Sequence, residues 1–180
     1  MFAHDGANWR PVGGQFVLAQ QSGTRAAPVD SKTGTSGTFT LSGGTPGILI
    51  PAGLLIAGRS EILLEARFNK VDGAAGTGAA CYGTVGTTNN PTTDNSIFGV
   101  QTANPANGQL RAFFSGNVDP NGTSFLADVW LVPGAAANAM QDRITNFDVA
   151  SNMYVNFYFN HTGVGTETTQ LLSYLITIKQ

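Results

Sequence analysis

Hydrophobic residues in this chain recur with a period of two, and that pattern constrains the fold more than any other feature. In "SEILLEARFNK", Ile62, Leu64, Ala66 and Phe68 alternate with Glu61, Leu63, Glu65, Arg67 and Asn69. Successive strand side chains point to opposite faces, so this spacing predicts a half-buried strand rather than a helix. "GQLRAFFSG" repeats it with Leu110, Ala112 and Phe114, and "LLSYLITIKQ" with Leu172, Tyr174, Ile176 and Ile178. "TSFLADVWLVPG" is nearly apolar on both sides, which predicts a central strand covered twice. Shorter candidates are "GQFVLAQ", "GTFTLSG", "GILIPAG", "AACYGTV" and "SIFGVQ".

Turn signals separate these runs. Asp72-Gly73, Asn107-Gly108 and "DPNG" at Asp119 to Gly122 supply positive φ angles or preset turn geometry. "GTTNNPTTDN", residues 86–95, reads as a longer exposed loop, and alanine-rich "GAAANAMQD", residues 134–142, as a short helix candidate. Short strands with glycine-rich turns and almost no helix predict an all-β fold: an antiparallel, jelly-roll-like β-sandwich of about eight strands. From Met1 to about Ser36 the periodicity is broken by Gly, Gln and Ser. Residues 1–36 are therefore expected to form an extended N-terminal arm with one short strand and a linker, and residues 37–180 the sandwich.

The stretch "SNMYVNFYFN" poses a problem of its own. Met153, Val155, Phe157 and Phe159 make a core face, while Tyr154, Asn156, Tyr158 and Asn160 make the other. That second face is too aromatic for ordinary solvated surface and too polar for a core. Tyrosines bury large area while keeping a hydrogen-bonding tip. The residues alone leave three covers open: another subunit, a loop or arm of the same chain, or a sugar stacked on the rings.

Composition narrows the function. At 180 residues, one domain is the default, long enough to bury roughly 70% of the surface its unfolded form exposes. Charged residues make up 11% of the chain, against about 25% on average, so the surface is neutral and rich in hydroxyls and amides. A formal net charge of −2 with Arg59, Arg67, Lys70, Arg111 and Arg143 scattered provides no patch for a phosphate backbone, and no nucleic-acid partner is expected. No apolar stretch approaches a membrane span, and "MFAHDGANWRPVGG" has no secretory pattern. The triplets Asn121-Gly122-Thr123 and Asn160-His161-Thr162 are accordingly taken as silent for glycosylation.

Catalytic groupings are not readable. Glu61 and Glu65 share a strand face but stand about 13 Å apart, whereas glycosidase carboxylates sit roughly 5 to 9.5 Å apart. His4 and His161 have no second ligand at metal spacing and read as surface or turn histidines. No serine lies in a G-x-S-x-G elbow, and "GAAGTGAA" opens no helix that would cradle phosphate. Cys81 reads as a small buried apolar residue. No enzyme activity, metal or cofactor is expected.

The linear order "DGANWRPVGGQFVLAQQSG", "ILIPAGLLIAGRSEILLEARFNK", "ANGQLRAFFSGN", "TNFDVASNMYVNFYFN" and "LLSYLITIKQ" resembles small bacteriophage virion β-sandwich proteins of the tail-appendage or capsid-decoration type. The resemblance runs from Trp9 to the C-terminus through turn motifs rather than chemistry, with Gly13 where similar sequences carry Asn. It implies a non-enzymatic virion structural protein, a decoration, cement or short appendage protein on the capsid or tail, made in the host cytoplasm. It implies a docking arm carrying Trp9, Arg10, Pro11 and Phe16, a corner at Pro51 and Gly53, and a turn at Asp148 and Asn152. With Met1 directly before this opening, no long fibre shaft is expected. Similar modules assemble as trimers, so Trp130, Tyr154, Asn156 and Tyr158 are the expected subunit or ligand contacts, with a capsid or tail protein as partner. The alternative implied function is a tail-fibre-type module recognising host-surface glycans.

Overall fold

A computed structural model describes residues 2–4, 9–11, 14–41, 44–71, 78–102, 108–131, 135–137, 146–161 and 166–180. It is an antiparallel β-sandwich, with no helix among the described residues. The strands are β1 (Phe2–His4), β2 (Trp9–Pro11), β3 (Gln15–Ser22), β4 (Asp30–Thr33), β5 (Ser36–Thr38), β6 (Gly47–Ile50) and β7 (Glu61–Val71), followed by β8 (Ala79–Gly86), β9 (Asn95–Thr102), β10 (Gly108–Val118), β11 (Phe125–Leu131), β12 (Ala135–Ala137), β13 (Met153–His161) and β14 (Thr168–Lys179). One six-stranded sheet runs β11-β10-β7-β14-β3, with β4 also on β14. The other runs β12-β9-β8-β13-β5, with β6 also on β13. The "about eight strands" expected from sequence are thus joined by short edge strands too brief to show periodicity.

The core follows the alternation. Ile62, Leu64, Ala66 and Phe68 of one sheet and Met153, Val155, Phe157 and Phe159 of the other are buried and face one another. Phe39 lies between the layers, its ring centroid 5.9 Å from Phe68 and 5.4 Å from Phe159. Phe157 meets Phe68 edge-on at 6.2 Å and Tyr174 at 5.8 Å. Such tilted contacts place ring edges against ring faces, which suits the aromatic quadrupole. Cys81 is part of this core, and burial pushes its thiol well above the ordinary range, so it stays neutral.

Turn motifs implied by the resemblance are bonded to one another. Asp148 accepts from the Ala150 backbone at 2.9 Å and from Ser151 Oγ at 2.7 Å, which holds its carboxyl below the usual range. Asn152 Oδ1 then accepts from the Ala52 backbone, and Gly53 N donates to the Val149 carbonyl. Gly53 sits at φ 72°, where a side chain is strained. The "IPAG" corner and the "DVASN" turn therefore lock the exit of β6 to the entrance of β13. "DPNG" is a turn as well, with Gly122 N bonded to the Asp119 carbonyl at 3.0 Å. Asp72, Gly73 and Asn107 lie outside the described residues.

Four expectations need correction. Residues Gln15–Ser22, expected as the short strand of an arm, and Asp30–Thr33, expected as linker, are both strands of the sandwich lying along β14. A long apolar neighbour pairs even a Gln-rich strand through backbone bonds, which periodicity does not register. Phe16 accordingly pairs with Ile178 and packs partly buried against the core rather than on an arm. What precedes Gly14 is the hairpin of β1 and β2, with His4 opposite Trp9 and Ala3 opposite Arg10. The two-sided apolar strand β11 stands at the end of its sheet among the described strands, paired to β10; apolar residues at both alternating positions do not by themselves fix a strand's place in the sheet order. Finally, Ala135–Ala137 of the helix candidate is a strand on β9, while Gly134 and residues 138–142 lie outside the described residues. A helix that short loses to an available edge.

Candidate functional site

β13 runs between β8 on one side and β6 and β5 on the other, so its outward residues have side neighbours on both flanks. Tyr158 stands opposite Tyr82 and Thr38, Asn156 opposite Thr84 and Gly47, and Tyr154 opposite Gly86 and Leu49. The Tyr82 and Tyr158 rings stack at 4.5 Å with an interplanar angle of 13°. Both remain half-buried, as does Tyr154, and Leu49 is 43% exposed. Burial and the neighbouring Tyr158 push the Tyr82 phenol up, so it keeps its proton. None of these outward residues is charged.

Residues 87–94 form the rim of this face. The Asp94 carboxylate accepts from Thr88 N at 3.1 Å, from Thr88 Oγ1 at 2.5 Å and from Asn90 N at 3.2 Å, and its own amide donates to the Asn90 carbonyl at 2.8 Å. Thr87 N and the Thr93 carbonyl are tied to Asn146. Asn89 takes φ 52°, a left-handed conformation that Asn tolerates. The loop that sequence reading took as simply exposed is thus folded around a buried aspartate. It supplies part of the cover sought for the tyrosine face, because Asn89 Oδ1 lies against Gly47, beside Asn156. Asn156 is fully buried while the tyrosines are not.

Trp130 does not join Tyr154, Asn156 and Tyr158. Its strand belongs to the other sheet, where it pairs with Phe113. The outward side of that sheet carries a groove of about 420 Å³ lined by Leu63, Phe113, Leu175 and Thr177 with Glu61 and Glu65 at its margin. Each glutamate is paired, Glu61 with Lys179 at 3.0 Å and Glu65 with Arg111 at 2.7 Å, and the Arg111 guanidinium lies 4.2 Å above Phe113. Val17, on the neighbouring strand, is 52% exposed. The expected docking residues Trp9, Arg10 and Pro11 form β2 of the separate hairpin.

The sequence reading missed a buried ionic cluster. His161 is no surface histidine: its Nε2 lies 2.5 Å from Thr169 Oγ1 and its Nδ1 3.5 Å from Glu167 Oε2, and Glu167 Oε1 lies 3.6 Å from Lys70 Nζ. All of these side chains are buried. Lys70 is the last residue but one of β7, and His161 ends β13 in the opposite sheet, so the cluster ties the two layers at one end. Burial lowers the His161 pKa below its ordinary range, opposed by Glu167 and by a backbone bond at Gly34 and reinforced by Lys70. The imidazole is neutral near pH 7. Carrying the alternation one step further would have revealed the cluster, since Lys70 and His161 continue the core-facing registers of Phe68 and Phe159. Among the described residues, no group of three or more His, Cys, Asp or Glu is arranged to hold a metal ion.

No family model and no curated protein matches the chain. Solved structures similar to it include a carbohydrate esterase of the Shiga toxin-encoding bacteriophage phi24B, at 11% identity, covering 93% of this chain and 100% of that one, with a TM-score of 0.41. The carbohydrate recognition domain of Emp46p in its potassium-bound form shows 10% identity, 91% and 82% coverage and a TM-score of 0.42. Peanut lectin shows 9% identity, 94% and 98% coverage and a TM-score of 0.38. The sandwich assignment for the present chain rests on its own strand pairing.

Proposed function

We propose that this chain is a non-enzymatic surface protein of a bacteriophage particle, a decoration, cement or short appendage module on the capsid or tail. The supporting observation is the uncharged, partly exposed face of Tyr82, Tyr154, Tyr158 and Leu49, backed by a rigid aromatic core. A face of this kind suits contact, and no described carboxylate or histidine opens onto it to do chemistry. In this reading the β1–β2 hairpin with Trp9, Arg10 and Pro11 docks on a capsid or tail protein, and the face of Tyr82, Tyr154 and Tyr158 packs copies of the chain into a trimer. The test removes residues 2–11 and follows particle attachment by electron microscopy and assembly by sedimentation. The expected result is a folded protein that no longer decorates particles. Normal attachment of the shortened chain would overturn the docking role.

A second reading is favoured by one observation, the stacked Tyr82–Tyr158 pair set among amides and hydroxyls. That arrangement suits recognition of a neutral host-surface glycan, and it is compatible with a place on the particle surface. Loss of glycan-array binding on Tyr158→Ala would support it, and an array with no binding would sink it.

A further inference from the structure

Asn156 is fully buried at the centre of three strands, yet neither its Nδ2 nor its Oδ1 has a hydrogen-bond partner. Thr84 Oγ1, directly across β8, is also buried and without a partner, as is Asn89 Oδ1. Leaving such groups unsatisfied is costly, because each gives up its bonds to water with nothing in return. Gly47 makes the cluster possible: a Cβ there would stand 2.8 Å from Asn156 Oδ1 and would run into Asn89 Oδ1. The Asn89 side chain therefore lies over the space that a larger residue would fill.

The signs of the unsatisfied groups identify what they match. A cation would answer the oxygens but not the Asn156 N–H groups. A carboxylate or phosphate would answer the N–H groups and the Thr84 hydroxyl but be repelled by the Asn156 and Asn89 amide oxygens. A hydroxyl both donates and accepts, as the water it would displace does, so it satisfies the whole set. Two residues along both strands stand the stacked Tyr82 and Tyr158 rings, an apolar surface for the C–H face of a sugar ring. Access requires one side chain to turn, not the loop to unfold, because Asp94 holds the backbone of residues 88–90.

We propose that Asn156, Thr84 and Asn89 form a hydroxyl-binding subsite beside the Tyr82–Tyr158 pair, taking one residue of a neutral saccharide when the Asn89 side chain swings aside. The proposal rests on the glycan reading given above and specifies which groups read the sugar. The experiment uses the full chain and an array of neutral hexoses, N-acetylhexosamines and deoxyhexoses alongside acidic sugars, followed by titration of the bound sugars with nuclear magnetic resonance of side-chain amides. The expected result is binding of neutral sugars, with the Asn156 amide resonances shifting on titration. Asn156→Ala should weaken binding about tenfold, the loss of one well-placed hydrogen bond. Asn89→Gly, which suits the positive φ, should tighten it.

Failure of the subsite and failure of the glycan reading are distinguishable. Sugar binding that needs Tyr158 but leaves the Asn156 amide unmoved and is indifferent to Asn156→Ala would overturn the subsite and keep the face. Binding confined to acidic sugars would overturn the subsite too, and no sugar binding at all would remove both. The amide shifts of the unaltered protein decide the matter even where a variant folds poorly.

Discussion

The molecule buries polar side chains in two places, and the two are handled in opposite ways. Lys70, Glu167, His161 and Thr169 meet across the two sheets and balance charge with charge, although His161 Nδ1 makes no hydrogen bond. Asn156, Thr84 and Asn89 sit on the outside of one sheet and leave their donors and acceptors open. The difference follows from charge. A buried ion without its partner costs several kcal/mol, so a chain that contains one must supply the counter-ion itself. A buried neutral amide costs about 1–3 kcal/mol, which a sandwich core of this size tolerates. What differs is the charge: the ionic cluster supplies its own counter-ion, whereas the neutral cluster leaves amide and hydroxyl groups for something else to satisfy.

The comparison is tested most severely at the ionic cluster. Glu167→Gln keeps the shape but leaves the Lys70 charge without its carboxylate, and should cost about 3–5 kcal/mol in urea unfolding at pH 7. A cost below the range of exposed pairs would show that water reaches the cluster. Asn156→Leu should do the reverse and raise stability by about 1 kcal/mol, since it removes unsatisfied groups at similar volume. A large loss in that variant would mean that the amide is bonded in solution.

The pH dependence is smaller and its sign is fixed by His161. Its folded pKa lies below the ordinary value near 6.5, so the unfolded chain binds the extra proton first. The stability this contributes is fully present above about pH 6.5 and falls away as pH drops through the lower folded value. Thermal melting should decline between pH 7 and 5, and His161→Gln should flatten that slope; an unchanged slope would assign the effect to other groups. The smallest effect is expected at the half-exposed Glu65–Arg111 pair. Arg111→Gln should cost about 0.2–1 kcal/mol, and a loss as large as that of Glu167→Gln would break the contrast between buried and exposed charge.

Much of the fold was legible because burial imposes period two on any strand with one covered face. The core residues of β7, β13 and β14 were read from that signal, the turn at Asp119 from the chemistry of "DPNG", and the turn at Asp148 from the resemblance. The strands β4 and β12 were not, and β3 was read as a strand but not as part of the sandwich, because edge pairing uses backbone groups that every residue carries. In the site, Tyr154, Asn156 and Tyr158 were singled out by a composition that fits neither core nor solvent. Tyr82, Thr84 and Asn89 were missed, since nothing in "AACYGTV" or "GTTNNPTTDN" states which strand lies beside which.

Alternation and turn chemistry are local, and the amino-acid order alone therefore determined an all-β chain with a neutral surface and an anomalous tyrosine face. Which residues meet is a matter of register between segments far apart in the chain. Only the tertiary structure placed Thr84 and Gly47 on either side of Asn156, sent Trp130 to the opposite sheet, and closed Lys70 and His161 around Glu167. The physical reason is that pairing energy lies in the shared backbone, whereas the side chains that pairing brings together are distributed along the whole sequence.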